Sequence, residues 1–197
     1  NKTQIEINNW NNDKKVISLY TAFYGDVANH GFKYQNDLEK ALKDVIKTIR
    51  DYYNIVIKIH PNENIDYWNN VFGDILETNV IMIKDYKDKF KLMSSFDIII
   101  STNSYAAVEA SILGLYTINF VPGVNIIGED FVEDFNNNNI KFYYDKNELC
   151  NQLIELSSKK LCFNNEKNEV INNILGKNRL EVEHVLNDLL KNKKKNE

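Results

Sequence analysis

A cluster of small polar residues offers the clearest chemistry in the sequence. Ser101, Thr102, Asn103 and Ser104 connect a predicted strand to the start of a predicted helix, and Glu109 follows within that helix. The free N–H groups and dipole of a helix start favour an anion such as phosphate, and the hydroxyls add donors. Glu109, about one and a half turns into the helix, could accept hydrogen bonds from the two hydroxyls of a ribose. The alternative is that Asn103 or Ser104 only caps the helix and Glu109 is a surface charge.

His60-Pro61 is the second candidate site. A histidine at the carboxyl end of a strand can donate to phosphate or transfer a proton, because its pKa lies near neutral. The alternative is a loop histidine with an ordinary hydrogen bond. Lys58 has the same side-chain direction as His60. We favour its interpretation as a helix-facing lysine that reaches towards solvent rather than as a ligand.

Other chemistries lack their motifs. No glycine-rich phosphate loop and no Gly-x-Ser-x-Gly turn occurs, and the histidines and cysteines do not have metal-ligand spacing. A response-regulator receiver would need an acidic pair after the first strand, where Phe23-Tyr24-Gly25 stands. We therefore expect no metal and no cofactor.

Composition excludes several classes of protein. The 197 residues carry a net charge of −4, with 43% apolar and 26% charged residues. These values are typical of a globular chain and argue against a disordered tail or a basic nucleic-acid binder. No apolar run is long enough for a membrane span, and two cysteines fit a reduced cytoplasm. Because the first methionine is Met82, we expect an excised piece of a longer protein.

Short apolar strands alternate with helices along the chain. Strands are predicted at residues 16–24, 55–60, 80–83, 97–101, 116–121 and 141–144, and helices at 36–53, 65–72, 90–96, 104–113, 148–156, 170–175 and 180–190. Asn36 and Glu39 form a predicted capping box, and Gly114 is predicted to end the fourth helix. Strands that are apolar on both faces belong to parallel sheets covered by helices. The pattern predicts a doubly wound, Rossmann-like α/β domain with five or six parallel strands and helices on both faces.

This fold would place the candidate residues together. Residues 1–14 are interpreted as a linker or strap, and residues 15–197 as a single nucleotide-binding domain with C-terminal helices. The first and fourth strands should be neighbours, so the loop of residues 24–31, with Gly25, should face the turn of residues 101–104. The predicted core consists of isoleucines and one leucine: Ile17, Leu19, Ile55, Ile57, Ile59, Ile98, Ile99, Ile100 and Ile118.

Three motifs together resemble a known family. Lys58-Ile59-His60-Pro61, the strand of residues 97–101, and Asn103-Ser104 followed by Glu109-Ala110 occur in order. The chain resembles the C-terminal half of B-type glycosyltransferases over residues 15–150. It is most similar to bacterial capsule and surface polysaccharide enzymes of sialyltransferase-like and CDP-glycerol glycerophosphotransferase-like type. UDP-N-acetylglucosamine 2-epimerases share the architecture, but their Asp-Ser-Gly-Gly stretch is replaced here by residues 102–105, which argues against epimerase chemistry.

The resemblance implies a donor-nucleotide-binding domain of a glycosyl or polyol-phosphate transferase. It implies that His60 and the Ser104 turn hold the phosphate of a CMP-, CDP- or UDP-type donor and that Glu109 holds the ribose. In such enzymes the catalytic base usually comes from the N-terminal half, so the catalytic residue stays unassigned here. His60 is the candidate within this chain. The N-terminal half of the same protein is the expected missing partner. We expect a cytoplasmic protein that reaches the inner membrane face through its other parts. The alternative is a non-catalytic binding or interaction domain.

Overall fold

The computed structural model describes residues 11, 13–21, 31–86, 89–102, 104–122 and 140–161. Strands and helices alternate through most of this part of the chain. In order they are β1 (Val16–Tyr20), α1 (Gly31–Ile49), β2 (Asn54–Lys58), α2 (Ile65–Phe72), β3 (Val80–Ile83), α3 (Lys89–Met93), β4 (Ile98–Ser101), α4 (Tyr105–Ile112), β5 (Tyr116–Phe120), β6 (Ile140–Tyr143) and α5 (Lys146–Ser158). A 3-10 turn, Gly73–Ile75, follows α2.

The six strands form one parallel sheet in the order β3-β2-β1-β4-β5-β6. Ile17 of β1 lies opposite Ile55 of β2 on one side and Ile98 of β4 on the other. The predicted neighbourhood of the first and fourth strands is therefore confirmed, together with the doubly wound α/β class. The strand order reverses at β1, so a crevice opens there at the carboxyl ends of the strands.

Helices cover both faces of the sheet. One face packs against α1, α2 and α5 through residues such as Leu42, Phe72 and Leu153. The opposite face packs against α3 and α4 through Met93 and Ala110. All nine predicted core residues are at most 1% exposed. Each buried aliphatic side chain of this kind stabilises the fold by about 1.5–3 kcal/mol, which explains why the strands are apolar on both faces.

Polar contacts attach α5 to the rest of the domain. The Tyr53 hydroxyl donates to the Leu153 carbonyl at 2.5 Å, and the Lys15 ammonium donates to the Ser157 carbonyl at 2.5 Å. Lys146 pairs with Asp44 of α1. These contacts give α5, the last described helix, a fixed position against α1.

The predicted capping box on α1 is wrong. The helix begins at Gly31 instead of Asn36, so Asn36 lies inside it, and it ends at Ile49 instead of Tyr53. Glu39 is 8% exposed and accepts a hydrogen bond from the Tyr67 hydroxyl at 2.5 Å. The local Asn-x-x-Glu pattern misled the prediction because the helix continues N-terminally through residues 31–35. Gly114 has a φ of 74°, as the predicted helix end requires.

Several predictions concern residues outside the described part of the chain. These residues are Gly25 and most of its loop, Asn103, most of the strap of residues 1–14, and the predicted helices at 170–175 and 180–190. Strand β1 is shorter than predicted, since it ends at Tyr20. Among the described residues, no helix is both long and apolar enough to cross a membrane.

Candidate functional site

A cavity of about 310 Å³ opens at the carboxyl ends of β1, β2 and β3, beside the start of α4. Among the described residues, its lining combines three lysines, a histidine, two carboxylates and hydroxyl-bearing side chains. The lining residues are Tyr20, Thr21, Lys58, Ile59, His60, Pro61, Lys84, Asp85, Tyr86, Lys89, Ser104, Ala106 and Glu109. The cavity thus lies at the strand-order reversal, where open α/β sheets bind their ligands.

His60 follows β2 and is held by its backbone and by its ring. Its N–H donates to both the Thr21 hydroxyl and a Glu63 carboxylate oxygen, each at 3.0 Å. The ring Nδ1 accepts from the Asn62 N–H at 3.2 Å, which assigns the ring proton to Nε2. Burial and the positive charge of Lys58 lower the pKa of His60. The imidazole is therefore neutral at pH 7 and has an Nε2–H donor.

Glu63 lies in the turn after β2 and stabilises that turn through hydrogen bonds. It is 9% exposed, and its carboxylate also accepts a hydrogen bond from the 3%-exposed Thr21 hydroxyl. Burial raises the pKa of Glu63, whereas the hydrogen bonds from Thr21 and the His60 N–H oppose that rise. Through Glu63 and Thr21, the end of β1 and the turn after β2 form one hydrogen-bonded unit that fixes the position of His60.

Lys58 is only 8% exposed and its ammonium binds backbone carbonyls, so its interpretation as a lysine that reaches towards solvent is wrong. Its side chain projects from the last position of β2, and its ammonium donates to the carbonyls of Ile59 at 2.8 Å and Lys84 at 2.5 Å. Burial lowers the pKa of Lys58, and the charge of Asp85 opposes that change. Two carbonyls thus hold a cationic donor at a fixed position in the cavity wall.

The polar turn before α4 divides into buried and accessible residues. Ser101 and Thr102 are fully buried, and their hydroxyls donate to the carbonyls of Ser104 at 3.4 Å and Tyr20 at 3.5 Å. Ser104 is the N-cap of α4 and accepts from the Ala106 N–H at 3.3 Å. Ser104 therefore caps the helix and also lines the cavity, whereas Ser101 and Thr102 shape the turn from within the protein.

Glu109 lines the cavity and forms an ion pair that sequence analysis missed. Its carboxylate lies 2.5 Å from the ammonium of Lys89, at the start of α3. The Glu109 side chain is 22% exposed and that of Lys89 is 49% exposed. The pair links α3 to α4 across the edge of the cavity.

Of the five predicted site residues that the structure describes, three line the cavity: His60, Ser104 and Glu109. The missed residues Thr21, Glu63 and Lys89 lie up to 42 positions away from their partners. One local signal was available for Glu63, since it stands three residues after His60 and in the same turn. No group of side chains suited to a metal ion occurs among the described residues.

Comparison with known proteins gives a family and a fold. The family model described as Protein of unknown function (DUF354) matches residues 25–190. The chain belongs to this family. No curated protein matches this DUF354 chain in sequence.

Three solved structures resemble the DUF354 chain in fold. A variant of the wall teichoic acid polymerase TagF has a TM-score of 0.53 and 18% identity over 95% of this chain and 46% of its own. A mutant of Staphylococcus aureus TarM, in complex with UDP and other ligands, has a TM-score of 0.52 and 18% identity over 88% and 35%. The UDP-GlcNAc 2-epimerase of Methanocaldococcus jannaschii, with UDP-GlcNAc and UDP, has a TM-score of 0.51 and 17% identity over 81% and 44%.

These likenesses concern the fold. The predicted half-domain architecture shared with UDP-GlcNAc 2-epimerases is confirmed at that level. The chain spans less than half the length of each of the three proteins. The ligands and activities of these three proteins are properties of their complete chains.

Proposed function

We propose that this chain is the donor-nucleotide-binding domain of a glycosyl or polyol-phosphate transferase in bacterial surface polysaccharide synthesis. The observation that carries the proposal is the cavity at the strand-order reversal. It combines the Nε2–H of His60 and the ammonium of Lys58 with the N-terminus of α4 and the carboxylate of Glu109. The donors suit a phosphate, and the carboxylate can accept hydrogen bonds from ribose hydroxyls.

The ligand is a pyrimidine nucleotide of CMP, CDP or UDP type. Its phosphate lies towards His60 and Ser104, and its ribose lies towards Glu109. Lys58 adds a positive charge that its two carbonyl partners hold in place. Ser101 and Thr102 support the turn, and Gly25 and Asn103, outside the described residues, stay predicted contacts. No cofactor or metal takes part in this proposal.

The complexes of similar folds support a nucleotide as the ligand. Structures of TarM and of the 2-epimerase were determined with UDP, and TagF is a wall teichoic acid polymerase. The remaining half of such proteins would supply the acceptor site and the catalytic base, with His60 as this chain's own candidate for proton transfer. This chain would position the donor and neutralise the charge of its leaving group. The complete protein would act in the cytoplasm, at the inner face of the membrane.

Titration calorimetry with cytidine, CMP, CDP, uridine, UMP and UDP tests the proposal. We expect diphosphate binding that His60→Ala weakens about tenfold, with less than about a twofold effect on the nucleosides, because a donor to phosphate is lost. Lys159→Met is the control, since Lys159 pairs with Glu155 on α5, away from the cavity.

A wild-type chain that binds none of the six compounds would contradict the proposal. That result would favour the non-catalytic binding or interaction domain. Binding that is unchanged by His60→Ala would mean that the phosphate lies elsewhere. Sugar transfer by this chain alone would refute the expectation that it needs a partner half.

A further inference from the structure

The Lys89–Glu109 ion pair engages one oxygen of the carboxylate that the ribose would need. Both residues line the cavity, and the ammonium and the carboxylate oxygen lie 2.5 Å apart. A ribose cannot take this oxygen unless the Lys89 ammonium moves or shares it. The Lys89 ammonium therefore competes with the ribose of the proposed nucleotide for the Glu109 carboxylate.

The surroundings of Glu109 include a second potential donor. Tyr20 is 6% exposed and lines the cavity, and its hydroxyl has no hydrogen-bond partner in the described part of the chain. Burial and the negative charge of Glu109 raise the pKa of Tyr20. The Glu109 carboxylate thus affects the pKa of Tyr20 through its charge, whereas it accepts its hydrogen bond from Lys89. A buried hydroxyl without a partner indicates that the present set of contacts is incomplete.

Lys89 and Lys58 differ in their freedom to move. Lys58 is 8% exposed, and two backbone carbonyls hold its ammonium. The Lys89 side chain is 49% exposed, and its ammonium also lies 5.1 Å from the centre of the Phe90 ring. An exposed lysine has a flexible four-carbon stem, so its ammonium can reorient at low cost. Lys89 can therefore leave Glu109 for another anion within the same cavity.

We propose that Lys89 and Glu109 form an exchange pair that makes the site select phosphorylated nucleotides over nucleosides. In the unliganded chain the two side chains neutralise each other. A bound phosphate takes the Lys89 ammonium, and the Glu109 carboxylate then accepts the ribose hydroxyls. A nucleoside competes for the same carboxylate but offers the Lys89 ammonium no anion in return, so it binds weakly. This inference rests on the proposed function and adds a specificity-determining residue to it.

The exchange pair predicts that one substitution, Lys89→Met, changes the affinities for nucleoside and diphosphate in opposite directions. Lys89→Met releases Glu109 permanently, so nucleoside affinity should rise about twofold to fivefold, the value of an exposed ion pair. Affinity for the diphosphate should fall about tenfold, because a charge-assisted hydrogen bond to phosphate is lost. Lys89→Arg keeps the charge and should keep the wild-type order of affinities. Lys159→Met, which breaks the Lys159–Glu155 pair outside the cavity, should change neither affinity.

The experiment is a calorimetric titration of these four chains with uridine and UDP, and with cytidine and CDP. Circular dichroism melts confirm that each variant is folded. If Lys89→Met weakens nucleoside and diphosphate equally, or changes neither, the exchange pair is refuted while the proposed function stands. If the wild-type chain binds none of the compounds, the proposed function fails and the exchange pair fails with it.

Discussion

The two walls of the cavity are held by different kinds of contact. The β2 wall, formed by Lys58 and His60 and supported by Glu63, depends on buried hydrogen bonds to backbone groups and to Thr21. The helix wall, formed by Lys89 and Glu109, depends on one partly exposed ion pair. Buried charge-assisted hydrogen bonds are costly to break, whereas exposed ion pairs contribute at most about 1 kcal/mol.

This difference teaches how one site can be both rigid and adaptable. The β2 wall holds the His60 ring and the Lys58 ammonium in fixed positions before any ligand arrives. Preorganised donors avoid the cost of ordering during binding. The helix wall can rearrange at low cost, because water replaces its contact readily. Stability should therefore depend on the β2 wall, and ligand discrimination on the helix wall.

Removal of Glu63 should have the largest effect on stability. Glu63→Ala leaves the buried Thr21 hydroxyl and the His60 N–H without this acceptor. We expect a loss of about 3 kcal/mol in the free energy of unfolding, or roughly 6–12 °C in melting temperature. Thermal melts by circular dichroism measure it. If Glu63→Ala lowers the free energy of unfolding no more than Glu109→Ala does, the two walls do not differ in their contribution to stability.

Glu109→Ala should affect ligand binding more than stability. We expect nucleotide affinity to fall about tenfold, because the ribose loses charge-assisted hydrogen bonds. The melting temperature should change by less than about 4 °C, since only a partly exposed ion pair is lost. Calorimetry and thermal melts give both values for one preparation. Glu155→Ala, from the exposed pair on α5, is the matched control and should leave binding intact. Equal binding losses for both variants would place the ribose elsewhere.

The smallest expected effect is a pH dependence that originates in Glu63. Its pKa is raised in the folded state, chiefly by burial. The folded state therefore holds the proton more tightly than the unfolded state does. The stabilisation from this proton is complete below the ordinary glutamate pKa of about 4.3 and is lost as pH rises through the folded-state pKa.

Glu63→Gln isolates this contribution, because glutamine does not titrate in this range. The stability of the wild-type chain relative to Glu63→Gln should fall as pH rises from about 4.3. Urea denaturation at several pH values measures it. A relative stability that increases with pH would mean that the hydrogen bonds from Thr21 and His60 outweigh burial.

Most of the fold could be predicted because its signals are local. Three consecutive isoleucines, Ile98, Ile99 and Ile100, predict a strand buried on both faces, and all three are fully buried. The predicted limits of α2 and β3 match the structure. The start of α1 could not be predicted, because the capping pattern at Asn36 is also compatible with a helix interior.

The candidate site was predictable only in part. His60, Ser104 and Glu109 follow from their positions at strand ends and at a helix start, which any doubly wound sheet brings together. The burial of Ser101 and Thr102 was not predictable, because small polar residues suit a buried turn as well as a ligand site. The roles of Thr21 and Lys89 depend on partners that are distant along the chain.

The sequence by itself determined the apolar strands, the strand-and-helix order and the polar residues at the strand ends. Only the tertiary structure decided which side chains share a contact. Glu63 meets Thr21 because β1 and β2 are neighbours in the sheet, and Glu109 meets Lys89 because α3 and α4 pack on the same face. The physical reason is that burial and helix propensity act on short segments, whereas an ion pair or a side-chain hydrogen bond requires two distant segments to be packed together.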